Sequence, residues 1–89
     1  MKALDVTTKF KRDLKRERKT DPGVEEMLRT AVGLLREGKT LPQRFNDHPL
    51  SGDWKDHRDC HLKPNLVLIY KVSEVVVTLV RLGSHGELF

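Results

Sequence analysis

Apolar and polar positions change period along the chain, and those changes divide it into elements. Leu4 and Val6 alternate with polar neighbours, which predicts a short strand over residues 3–6. Thr7 or Thr8 can cap the helix that follows. From Lys9 to Lys19 only Phe10 and Leu14 are apolar, so this helix packs along a narrow edge and turns a wide polar face outward. Asp21-Pro22 supplies a cap and then a first-turn proline. Beyond it Val24, Met27, Leu28, Ala31, Val32, Leu34 and Leu35 recur at helical spacing, which predicts a core helix over residues 22–37, closed by Gly38.

Lys39 to His57 has neither period, and Pro42, Pro49 and Gly52 mark it as loop. Phe45, Leu50 and Trp54 predict that the loop is packed rather than free, Trp54 as its anchor. Arg58 to Leu62 reads as a strand, Lys63-Pro64-Asn65 as a turn, and Leu66 to Val72 as a strand apolar enough to be central, with Tyr70 in the core. Ser73-Glu74 is a two-residue turn before a valine-rich strand, Val75 to Leu82, and a tail from Gly83 to Phe89. The order predicts an α+β fold in which a helical hairpin packs on one face of a four-stranded antiparallel sheet. Eighty-nine residues make one domain, 1–89.

Charge adds a direction. The net charge is +4, but residues 1–20 carry eight Lys and Arg against three acids, which is +5 and leaves −1 for the rest. Lys9, Lys11, Arg12, Lys15, Arg16, Arg18 and Lys19 gather on the first helix. Such a face suits a phosphate backbone, and equally a merely solvated surface. The lone Cys60 rules out an internal disulfide and fits a reducing compartment. No apolar run reaches the roughly 20 residues of a membrane span, and the N-terminus lacks a signal-peptide core, so the expected location is the cytoplasm.

The candidate chemistry is imidazole chemistry. His48, His57 and His61 fall between Asp47 and Tyr70, and His85 follows the last strand. Histidine gives and takes protons near neutral pH. Cutting RNA without metal requires a base for the 2′-hydroxyl, an acid for the leaving 5′-oxygen, and cations for the phosphoryl charge. His48, His61 and His85 can fill the first two roles, and Lys55 and Arg81 the third. Arg58 can touch phosphate or pair with Asp56. Phe89 is a candidate to stack on a base.

Taken together, Asp47-His48-Pro49-Leu50, Gly52-x-Trp54-Lys55, Arg58-Asp59-x-His61, Leu68-Ile69-Tyr70-Lys71 and Arg81-x-Gly83-x-His85 resemble the YafQ branch of the RelE/ParE toxin superfamily, over nearly the whole chain. The resemblance implies a small ribonuclease that cuts messenger RNA in the ribosomal A site, needs no cofactor and is silenced by an antitoxin. It implies that His48, His61 and His85 act together, with Asp59 and Phe89 placing the message. Members often carry an acid in the turn where this chain has Asn65, which can orient a partner by hydrogen bonding but takes no proton.

Four other readings are weighed against this one. A ParE-like gyrase binder of the same fold has no need of the histidine set, whereas Asn65 keeps open a basic RNA- or ribosome-binding module that has lost catalysis. Zinc on His57, Cys60 and His61 with His48 or His85 has poor spacing and a single thiol. A Cys60–His61 nucleophilic pair fails because adjacent strand residues point to opposite faces. The basic surface also predicts an acidic, partly disordered protein partner that folds onto it.

Overall fold

In a computed structural model describing residues 1–89, the chain forms a five-stranded sheet with two helices on one face. In chain order the elements are β1 (Ala3–Val6), α1 (Thr8–Thr20), α2 (Val24–Arg36), β2 (His48–Pro49), β3 (Arg58–Lys63), β4 (Leu66–Val72), β5 (Val76–Gly83) and α3 (His85–Leu88). Strand order across the sheet is β1-β5-β4-β3-β2. The α+β layering and helical hairpin follow the pattern, but the sheet has five strands rather than four and is mixed. β1 runs parallel to β5, with Ala3 opposite Val76 and Val6 opposite Leu79. Tight turns force the β3–β4–β5 meander to be antiparallel. β1 reaches β5 through two helices, and that long connection leaves its direction free. β2 escapes periodicity because it is two residues long; its Pro49 suits the sheet edge, where its missing N–H leaves no ladder bond unmade.

Thr7 is the cap of α1, its hydroxyl accepting from the Phe10 N–H at 3.0 Å. α2 begins at Val24, two residues later than expected, because the Asp21 side chain accepts from the Gly23 N–H and folds the chain into a turn first. The loop before β3 contains two single-turn 3₁₀ segments, Gln43–Phe45 and Gly52–Trp54, and Phe45 is buried in the main core. The tail is not extended: Ser84 and Glu87 form a reciprocal capping box that coils His85–Leu88 into α3.

The sheet separates two apolar clusters. Phe10, Val24, Ala31 and Val32 of the helices meet Cys60, Leu68, Tyr70, Val77 and Leu82 on one face. On the other, Val67 and Ile69 are covered by Leu88, with Leu50, Trp54 and Val80 beside them. A bulge at Val80, between the pairs Ile69↔Arg81 and Tyr70↔Leu79, lets both Leu79 and Leu82 face the helices.

β1 covers β5 only as far as Leu79, so the upper outer edge of β5 has no strand partner. Side chains at the start and along one face of α1 supply the missing bonds. The Thr7 hydroxyl donates to the Val80 carbonyl at 2.7 Å. Asp13 Oδ2 accepts from the Leu82 N–H at 3.0 Å, and Arg16 Nη2 donates to the Leu82 carbonyl at 3.1 Å. Asp13 also accepts from Arg81 Nε at 2.7 Å. Burial pushes the Asp13 carboxyl up, but the bonds from Arg81 and Leu82 outweigh it and hold the group below its ordinary value. Its stabilisation is therefore full above the ordinary carboxylate range and is lost as pH falls through the depressed value. Asp13→Ala, which strands the Leu82 N–H and Arg81, is expected to cost about 3 kcal/mol, and Asp13→Asn, which still accepts from Leu82, about 1–2 kcal/mol. Urea unfolding at neutral pH measures both, and equal losses for the two variants would count against the edge-pairing account.

Candidate active site

Alternation along β3 decides which side chains can meet. Cys60 and Leu62 point into the helical core, while Asp59 and His61 stand on the opposite face, under α3 and the long loop. His48 lies directly across the β2–β3 ladder from Asp59. His85, at the first position of α3, brings its ring to 6.3 Å from that of His61. Leu88 anchors the helix on Val67 and Ile69. The three histidines thus surround one carboxylate.

Asp59 is fully buried, and neither of its oxygens has a hydrogen-bond partner. Burial raises its carboxyl above the ordinary value, opposed in turn by the charge His48, His61 and His85 can carry. His48 Nε2 lies 3.1 Å from Asp59 Oδ1, without the alignment of a hydrogen bond, and its Nδ1 is 2.9 Å from the Asn46 carbonyl. A carbonyl only accepts, so Nδ1 carries a proton. In a neutral ring Nε2 would then face Asp59 with a lone pair. The approach is favourable only if the pair holds one further proton, on His48 as imidazolium or on Asp59 as acid. His61 and His85, by contrast, make no side-chain hydrogen bond within the chain.

Around this centre lie aromatic walls. Phe89, half exposed, sits 4.8 Å from the His85 ring and 6.4 Å from Trp54. His57 packs edge-on against Trp54 at 5.3 Å and bonds the Lys55 carbonyl through Nδ1, so it serves the loop. Lys55 itself is exposed and unpaired, and Asn65 is exposed in the turn between β3 and β4. Arg58 pairs with Asp47, not Asp56, at 3.1 and 3.3 Å, and Asp47 also accepts from the buried Tyr70 hydroxyl. Arg81 lies in line with Asp59 across β4 but is held by Asp13 at the far side of the sheet. Burial pushes the Cys60 thiol up to about 12, so it stays protonated, and its direction separates it from the histidines.

Sequence reasoning missed Asp13, Asp47 and Glu87. Asp13 left a signal: it is the one acid beside Phe10 and Leu14 on the apolar edge of a basic helix. Asp47 gave no such cue, since Arg58 and Tyr70 are distant in sequence, whereas Glu87 left one in its three-residue spacing from Ser84.

The mixed sheet and the helical hairpin packed on it are those of the RelE-like bacterial toxins. Within that class the chain belongs to the YafQ family, bacterial toxins of type II toxin–antitoxin systems, whose sequence profile matches residues 2–89. The mRNA interferase toxin YafQ of Escherichia coli K12 is 30% identical over 86 residues, 97% of this chain and 94% of that protein. A metal-bound toxin from Helicobacter pylori superposes over the full length of both chains at a TM-score of 0.90 and 43% identity. YafQ in the E. coli DinJ–YafQ complex superposes at 0.89 with 31% identity, covering 100% of this chain and 99% of that one.

A carboxyl raised by burial favours folding below its elevated pKa, and that contribution is lost as pH rises through it. At neutral pH Asp59 thus burdens the fold. Asp59→Asn is expected to melt several degrees higher than wild type at pH 7, with the gap closing as pH is lowered towards 4. Calorimetry across that range checks it; a lower melting temperature at pH 7 would mean that the ionised carboxylate is net stabilising.

Proposed function

We propose that this YafQ-family toxin is an endoribonuclease that cuts messenger RNA on the ribosome by metal-independent acid–base catalysis. The observation that carries the reading is the convergence of His48, His61 and His85, from β2, β3 and α3, around the buried Asp59. The 2′-oxygen attacks the adjacent phosphorus while a base removes its proton. The P–O5′ bond breaks and an acid protonates the departing 5′-oxygen, leaving a cyclic phosphate and a 5′-hydroxyl. His61 and His85, unpaired within the chain, are the base and the acid, and the His48–Asp59 pair stands beside them. Phe89 stacks on a base of the message beside the cut, and Lys55 and Arg58 border its path. Asn65 orients rather than titrates.

The basic face of α1 fits ribosomal RNA: Lys11, Lys15 and Lys19 are exposed and form no ion pair, whereas Arg18 is paired with Glu25. The relative solved with DinJ supports a cognate antitoxin for this chain too, of acidic character to match the +4 charge. No helix is long and apolar enough to cross a membrane, and ribosomes place the action in the cytoplasm.

His61→Ala and His85→Ala should each lower cleavage of ribosome-bound message by about 10²–10⁴ with melting temperatures near wild type. Mapping new 5′ ends after expression in bacteria reads the loss, and wild-type cleavage by both variants would end the assignment. Charge reversal at Lys11, Lys15 and Lys19 should weaken ribosome association and flatten its salt dependence; sedimentation with ribosomes across a salt series is the measurement, with an unchanged slope as the contrary result.

A further inference from the structure

The outer edge of β5 carries a feature that the histidine centre does not use. Lys9, Arg12, Asp13 and Arg16 of α1 and Arg81 of β5 line a cleft of about 260 Å³ with no apolar residue in its wall. Four cations face one carboxylate there. Asp13 is already saturated, accepting from Arg81, from Arg16 at 3.3 Å and from the Leu82 N–H. It is also buried beneath the two guanidiniums, so it anchors them without offering a lone pair to the cleft. Lys9 and Arg12 form no ion pair. Arg16 is also met by Glu17 at 3.1 Å and by Glu87 at 3.8 Å, so the free cations of the cleft are Lys9 and Arg12, set beside two guanidiniums that are already held.

The cleft also borders the catalytic helix. Arg16 lies over Gly83, where a Cβ would come within 3.2 Å of its Nη2, and reaches Glu87 of α3 at 3.8 Å. α3 turns His85 towards His61, Phe89 towards Trp54 and Glu87 towards Arg16. α3 thus links the histidine centre to the cleft through the Glu87–Arg16 contact.

We propose that the Lys9–Arg12–Arg16–Arg81 cleft is a binding site for a backbone phosphate of the substrate RNA, outside the scissile linkage. It rests on the ribonuclease reading above and assigns the helix's basic residues to two tasks. Lys11, Lys15 and Lys19 lie on another stripe of α1 and meet the ribosome, while the cleft residues hold the message. Planar guanidiniums fixed by a carboxylate behind them suit the fork geometry of phosphate oxygens, and their ordering is complete before the ligand arrives. The fixed wall favours phosphodiester over the mobile carboxylates of an acidic peptide.

The test uses full-length protein and a 2′-O-methyl RNA that cannot be cut, titrated by fluorescence anisotropy over a salt series. Lys9→Glu with Arg12→Glu is compared with Arg29→Glu and Lys39→Glu, an equal charge change on α2 and the turn after it. The cleft variant is expected to bind at least tenfold more weakly, with the salt slope lowered by roughly 0.7 for each phosphate it no longer neutralises, while the α2 variant weakens less than threefold. Inorganic phosphate at millimolar concentration should displace RNA from wild type and have a smaller effect on the cleft variant. Equal weakening in the two variants, or a cleft variant that loses affinity for an acidic peptide but not for RNA, would overturn the site. Cleavage of ribosome-bound message by wild type is followed in parallel, so a failure of the nuclease reading registers there and not in the binding comparison.

Discussion

A single buried carboxylate on an otherwise basic helix decides where that helix lies. Asp13 completes the backbone bonding of β5 where β1 stops, and in doing so fixes α1 across the sheet edge. An unpaired edge N–H buried under a helix costs free energy comparable to a missing hydrogen bond, so the interaction is obligatory once the helix covers it. The same carboxylate organises Arg16 and Arg81, and Arg16 in turn touches the helix that carries His85. Fold and site are joined through this cluster rather than through the apolar core, which lies on the other side of the sheet from the histidines.

The site itself is built against stability. The second face gathers three imidazoles around a carboxylate that has lost its water and gained no hydrogen bond. A core of this size cannot tolerate many such groups, and the chain isolates the one it has. Val67, Ile69 and Leu88 seal it from below, and Phe89 and Trp54 wall it at the side. His48 Nε2 is the polar atom that approaches the isolated carboxylate, at 3.1 Å from Asp59 Oδ1.

Much of this is legible in the sequence. The two helices, the meander and the packed loop follow from period and turn chemistry, and the separation of Cys60 from His61 from alternation alone. The grouping of His48, His61 and His85 is implied by the family resemblance alone, and the register of β2 against β3 and the coil of α3 are what bring the three together. What stays hidden depends on interactions between distant parts of the chain. The parallel direction of β1 has no turn to announce it, and two-residue β2 has no period. The capping box of α3 sits in the sequence as Ser84 and Glu87, but a four-residue helix makes no hydrophobic pattern. Arg58 and Arg81 look unpaired in the sequence because Asp47 and Asp13, which pair with them, are far away in number.

The pairing of Ala3 with Val76 has a consequence for how the molecule assembles. The meander from β3 to β5 closes over short turns and can form early, whereas β1 must close a loop spanning most of the chain before its bonds form. Until the N-terminal segment docks, the outer edge of β5 stands bare along its whole length, an open template for any other extended chain. Folding order thus sets a brief window of vulnerability to aggregation, and the end of that window coincides with the moment α1 lays its charged side chains along the strand.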